Sequence, residues 1–439
     1  MRLVRALLAV LLLAVSVAGC GGPRIVGAGE RGTGTEVDYT GVTPASEISF
    51  WSNHPGGSID TERALVAEFG RQTGIRVNLV TAGANYEEVS QKFQAAQTSR
   101  SVGDVVVVSD VTWFPAFLNG SVIPLEPALV AQGVDTSGYR QTLYDDYRYG
   151  GKHYAVPYAR STPIFYYNKD FYRRAGLPDR PPATWDEARD YGRRMKQAGI
   201  GVPSFGFPPQ DQYVGWTVSN LVWGYGGAWS DQWNFGAVTD AKTRDAFAFA
   251  RSAVADGWAV VASGDPTTPF AAGALGQVIA STGSLRGIIE AAKFDVGVGF
   301  LPGGPVESTK VVPTGGAGLA IASKSPPERQ LAAAKFIAFM TNTASTATFS
   351  AATGYLPVQT GADMSAVYAK TPQFKTAVDQ LSRARSQDYA RVFVPGGDRA
   401  ISGTIQAVLT TPVDIGEALD SLRDKLEKFY RRDVESRLD

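Results

Sequence analysis

Asp104-Val105-Val106-Val107-Val108 places four consecutive β-branched residues directly before a loop that begins near Asp110. A short apolar run without polar alternation is what a parallel strand covered on both faces requires. Ile48 to Trp51 is a second short strand, and Thr61 to Arg71 is a helix with Leu65, Val66 and Phe69 on one side. Ile75 to Val80 is strand-like, and Asn85-Tyr86-Glu87-Glu88 opens another helix, with Asn85 and Glu88 at capping-box spacing. Strand–helix–strand order of this kind implies right-handed crossovers in an α/β lobe.

The rhythm resumes after residue 160. Thr184-Trp185-Asp186-Glu187 is a capping box, Thr239 to Asp256 and Pro326 to Met340 are helical, and Val278-Ile279-Ala280 and Val296 to Leu301 are strand-like. Ile415, Leu419, Leu422, Leu426 and Phe429 form one face of a final amphipathic helix. A chain of 439 residues with this texture suits two α/β lobes of about 150 to 200 residues each.

At the N-terminus, Arg2 and Arg5 precede an apolar run from Ala6 to Val17, and Val17-Ala18-Gly19-Cys20 resembles a lipobox. The run is shorter than the roughly 20 residues of a spanning helix. Residues 1–19 are therefore expected to be a signal peptide, and Cys20, the single cysteine, a lipidation site. Residues 20–46, rich in Gly and Thr, form the expected flexible linker. The GxGxxG match at Gly27 to Gly32 has neither a strand before it nor a helix after it, so it is not a dinucleotide site.

The 42 basic residues balance 42 acidic ones with no basic stripe, which leaves nucleic-acid binding unsupported. Only two histidines occur, His54 and His153, both read as structural, and no metal-ligand spacing, nucleophile elbow or P-loop is present. No cofactor and no catalytic residue is expected.

Several stretches resemble the extracytoplasmic solute-binding proteins of carbohydrate-uptake ABC importers. They are Trp51-Ser52-Asn53-His54-Pro55-Gly56, Lys152 to Tyr158 followed by Ile164 to Lys169, Gly176-Leu177-Pro178 with Pro182 to Glu187, Pro313 to Ile321, and Thr353-Gly354-Tyr355-Leu356-Pro357-Val358. Their order matches the family throughout. The resemblance implies a two-lobed periplasmic-binding-protein fold of type II, like maltose-binding protein, with a hinge crossed three times. Lobe one would comprise 47–157 and 317–358, and lobe two 158–316 and 359–439. A more restrictive set is similar to the glycerol-3-phosphate and glycerophosphodiester-binding members: Tyr158 to Pro163, Ser281 to Leu285, Thr314 to Gly318, Gly354 to Pro357, and Gln387 to Phe393 followed by Pro395 to Asp398.

The resemblance places Tyr86, Asp110 and Ser161 on the glycerol moiety. It places Ser281, the Gly316 N–H, Tyr355 and Arg391 on the phosphate, and Trp216 on the head group. At Tyr213 the chain departs from the family, whose members carry Trp or Leu there. Asp110 could instead be an N-cap, Arg391 a salt-bridge partner of Asp388 or Asp398, and Trp216 part of the lobe-two core. One Arg with neutral donors matches the single charge of a phosphodiester, whereas a phosphomonoester would ask for a second cation. Arg160 is the nearest spare, but its motif position suggests hinge structure.

The expected function is capture of glycerophosphodiesters, glycerophosphocholine first and sn-glycerol 3-phosphate second, by a lipid-anchored monomer on the outer face of the cell membrane. Its partners would be the permease subunits and ATPase of the importer. One alternative is a disaccharide or oligosaccharide receptor stacking sugar on Trp51, Trp113 and Trp216. A more remote one is a lipid-anchored glycosidase or esterase.

Overall fold

The computed structural model describes residues 37–98 and 102–438. The expected signal peptide, Cys20 and most of the linker lie outside them.

Among the described residues, ten of the fourteen strands build two five-stranded sheets. β1 (Glu47–Ser52), β2 (Arg76–Thr81), β3 (Val105–Ser109), β4 (Val156–Ser161) and β5 (Pro163–Asn168) come first in the chain. β6 (Phe205–Phe207), β7 (Ala259–Val261), β8 (Gln277–Ser281), β9 (Val296–Gly299) and β10 (Gly315–Ile321) follow. The first sheet runs β2-β1-β3-β10-β4 and the second β9-β5-β8-β6-β7. β1 pairs in parallel with β2 and β3, and β10 enters antiparallel between β3 and β4.

The Val run of β3 is covered on both faces, as its composition requires. Val105 and Val107 join one apolar cluster with Phe50 and Phe336, while Val106 and Val108 join another with Trp113 and Phe114. β5 divides its residues in the same way, Phe165 and Tyr167 to one side and Ile164 and Tyr166 to the other. Expected helices appear at Ile59–Thr73, Trp185–Gln197, Ala241–Ala255, Pro327–Met340 and Ile415–Tyr430. Asn85 and Thr184 cap as expected, each side chain accepting from the N–H three residues on.

The chain passes between the sheets three times. β4 belongs to the first sheet and β5 to the second, with only Thr162 between them. β10 rejoins the first sheet at Gly315, directly after Thr314. The third passage follows Leu356, whose N–H donates to the Arg160 carbonyl at 2.8 Å. The sheets thus change at Thr162 and Thr314, whereas the motifs alone put the changes at 157/158 and 316/317. The C-terminal segment does not stay on lobe two. Val434, fully buried, and Leu438 pack into the Trp113 and Phe114 cluster of the first lobe. There Phe393 stacks on Phe114 at 4.6 Å between centroids and Trp233 meets the same ring at 6.3 Å, forming an aromatic seam across the two lobes.

Candidate ligand site between the lobes

Asp110 follows β3, and its N–H donates to the Gly316 carbonyl at 3.0 Å, which ties the loop to the start of β10. Gly316 has φ +92°, and a Cβ there would lie 2.1 Å from the Ala159 carbonyl oxygen, so only glycine fits. The Asp110 carboxylate is not used as an N-cap: the next helix, Trp113–Leu118, has Thr112 at that position. Instead Asp110 Oδ2 accepts from Arg391 Nη1 at 2.8 Å and from Gln387 Nε2 at 2.9 Å.

Arg391 lies on the short helix Tyr389–Val392 and is 6% exposed. Besides Asp110 it donates to Gln387 Oε1, and its Nε stands 2.7 Å from Asp398 Oδ1. The salt-bridge reading of Arg391 therefore holds for Asp398. Asp388 is occupied elsewhere, accepting from Arg385, the Trp223 indole and the Trp229 N–H. Burial pushes the Asp398 carboxyl above the usual carboxylate range, although Arg391 pulls it down.

Trp216 donates its indole N–H to the Thr314 carbonyl at 2.9 Å, and a Cβ on Gly315 would meet the indole at 2.7 Å. Its helix neighbours Val214 and Val218 enter the lobe-two core, while the indole lies across the hinge strand. Ser161, 3% exposed, pairs in register with Gly315. Tyr86 and Tyr355 face each other with hydroxyls 3.3 Å apart. Burial holds the Tyr86 hydroxyl well above its usual pKa, with Tyr355 and the Asp110 charge adding to the shift. Ser281 Oγ accepts from the Gly283 N–H at 3.0 Å, and the Tyr355 ring borders the same glycine.

Two groups result. Asp110, Gly316, Arg391 and Trp216 are joined through Thr314 and Gln387, while Tyr355 and Ser281 border Gly283 and Tyr86 meets Tyr355. Tyr213 stands a layer behind. Its hydroxyl donates to Asp265 at 2.7 Å and its ring meets Trp216 edge-on. Clefts bordered by both lobes adjoin these groups: about 820 Å³ beside Arg391 and Asp398, about 200 Å³ beside Asp110 and Gln387, and about 930 Å³ beside Gly56 and Gly283.

The sequence reading left out Gln387 and Asp398 as site residues. Their signal was available: Gln387 stands four residues before Arg391, and Asp398 follows the Pro395-Gly396-Gly397 turn. Arg160 is structural, as its motif position suggested, fully buried with Nη1 donating to the Tyr147 hydroxyl and Nη2 paired to Asp146. Two of the three proposed sugar platforms are core residues. Trp113 is 0% exposed against Phe393 and Tyr154, and Trp51 is covered by Gly103. The histidines are structural: His54 bonds Glu62 and Thr81, and His153 bonds Glu126 while stacking on Tyr144.

The family model described as bacterial extracellular solute-binding protein matches residues 64–376. The chain belongs to this family. As a solute-binding protein it is similar to UgpB of Mycobacterium tuberculosis, solved in complex with glycerophosphocholine, at 42% identity and a TM-score of 0.84 over 88% of this chain and 99% of that one. The sn-glycerol-3-phosphate-binding periplasmic protein UgpB of Pectobacterium atrosepticum is 26% identical over 89% of this chain and 93% of its own length. Maltose-bound MalE3 of T. maritima shares the fold alone, with a TM-score of 0.76 at 19% identity. Among the described residues no helix is long and apolar enough to cross a membrane.

Proposed function

We propose that this solute-binding protein captures glycerophosphodiesters, glycerophosphocholine foremost, and delivers them to the permease of an ABC importer. The observation that carries the reading is Arg391, a buried cation on the wall between the lobes. It has Asp110, Gln387 and Asp398 on Nη1 and Nε and no protein acceptor on Nη2 among the described residues. A phosphodiester brings one negative charge and acceptor oxygens to such a donor. The similarity to glycerophosphocholine-bound UgpB, at 42% identity over 88% of this chain, supports the same ligand class. A neutral sugar has no need of the buried guanidinium, and Trp113, fully buried against Phe393 and Tyr154, is not available to stack on one.

The ligand would sit among Tyr86, Asp110, Ser161, Trp216, Ser281, Gly316, Tyr355 and Arg391, with Tyr213 shaping the head-group end from behind. Attachment through Cys20, action as a monomer and the absence of catalysis belong to the same proposal. Fractionation of a Cys20→Ser variant tests the anchor, which predicts loss from the membrane fraction.

A thermal-shift series with glycerophosphocholine, sn-glycerol 3-phosphate, maltose and trehalose tests the ligand. At about 100 times Kd a true ligand adds roughly 2.7 kcal/mol of stability. Glycerophosphocholine is expected to raise the melting temperature. A response to a disaccharide and to no phosphate compound would overturn the reading.

A further inference from the structure

We infer that Asp398 sets the charge of the phosphate this site accepts, favouring a monoanionic diester over a dianionic monoester. The inference rests on the phosphodiester reading above and adds a residue that selects among phosphates.

Asp398 is held in place by backbone geometry. Gly396 adopts φ +83°, and a Cβ on Gly397 would lie 1.9 Å from the Ala390 carbonyl oxygen. The turn therefore packs directly on the Arg391 helix and starts the helix Gly397–Thr410, with Asp398 in its first turn. On its other side Asp398 meets Gly215, where a Cβ would come within 3.0 Å of Oδ1. The carboxylate is thus fixed 2.7 Å from Arg391 Nε. Neither Nε nor Oδ1 has an in-line hydrogen bond, although both atoms are buried. The contact is one of charge, and the protein leaves the hydrogen-bonding capacity of both atoms unfilled.

Arg391 contributes one positive charge against the two carboxylates that contact it, Asp110 and Asp398, so the trio carries a net charge of −1. Arg160 and Asp146 behind it cancel. Exposed Glu87, Asp211 and Arg399 line the cleft beside Asp398 and sum to one further negative charge, which solvent screens. The phosphate group of a diester takes the trio to −2 and that of a dianionic monoester to −3, in a site where burial weakens solvent screening. Removing the Asp398 charge favours the dianion more than the monoanion.

The test is calorimetric titration of wild type, Asp398→Asn and Asp398→Glu with sn-glycerol 3-phosphate and with glycerophosphoglycerol, a diester of net charge −1, because the choline of glycerophosphocholine carries a compensating positive charge. At about pH 8 wild type should prefer the diester by at least about tenfold, since the monoester is then a dianion. That ratio should fall at least about tenfold in Asp398→Asn and persist in Asp398→Glu. For wild type alone, the ratio should also fall between about pH 8 and about pH 5, as the monoester takes up its second proton near pH 6. This arm is independent of whether the variants fold. An unchanged ratio in Asp398→Asn, or a wild-type ratio constant across that pH range, overturns the role of Asp398. Equal wild-type affinity for both ligands overturns it too, while leaving the phosphate-binding reading intact. Failure of wild type to bind either phosphate overturns both.

Discussion

At Arg391 the guanidinium is a salt-bridge partner of Asp398, and the proposed phosphate would meet the same group. Arg391→Ala should therefore do two things. It should abolish phosphodiester binding, and it should destabilise the unliganded protein by about 3 kcal/mol, because two carboxylates lose their buried counter-charge. Urea unfolding without ligand checks the second effect, and a difference under about 1 kcal/mol would show that the carboxylates relax into solvent. The residues that pair with Arg391 were harder to read than Arg391 itself. Sequence spacing puts Gln387 one helical turn away, but nothing in the local pattern tells which carboxylate, Asp110, Asp388 or Asp398, folds back onto the guanidinium. That choice is made by tertiary packing: Asp388 is drawn off by Trp223, Trp229 and Arg385.

Elements with a strong periodic or capping signal were legible, and those built from a few residues were not. The β3 run and the capped helix at Trp185 sit where composition puts them. β6 and β7, three residues each with a glycine inside Phe205-Gly206-Phe207, are too short to show alternation and exist because neighbouring strands supply their partners. The helix Trp185–Gln197 offers a test at this scale. Glu187 accepts from Arg180 at 2.6 and 2.9 Å, from the Ala183 N–H at 2.6 Å and from the Tyr191 hydroxyl at 3.0 Å. The Arg180 hydrogen bonds hold its pKa down to about 2. A depressed carboxylate stabilises the fold above its unfolded pKa of about 4.3 and loses that contribution as pH falls towards 2. Glu187→Gln should therefore be less stable than wild type near neutrality by about 0.5 to 1 kcal/mol, the size of a solvent-screened pair. The gap should close as pH drops below about 4, and a gap that persists into acid would assign it to lost packing instead.

For the whole molecule, the order of the hinge motifs carried the topology, since each crossing is a contiguous stretch with its own turn chemistry. The exact residues of crossing were not legible, because β4 and β10 look equally apolar on either side of the change. Nor was the return of the C-terminus onto lobe one. In the sequence, Val434 merely follows an amphipathic helix, and only the folded structure shows Trp113 and Phe114 waiting for it. Beside it Trp233, on lobe two and partly buried, lies against Phe114 of lobe one at 6.3 Å between ring centroids. A rotation that parts the lobes would strip apolar cover from this indole, while a closing ligand would restore it. The protein thus holds an intrinsic optical gauge. Trp233 emission should shift to the red on opening and to the blue on capture, and Trp233→Phe should silence that part of the signal. Lobe motion could then be timed in stopped flow without attaching a dye.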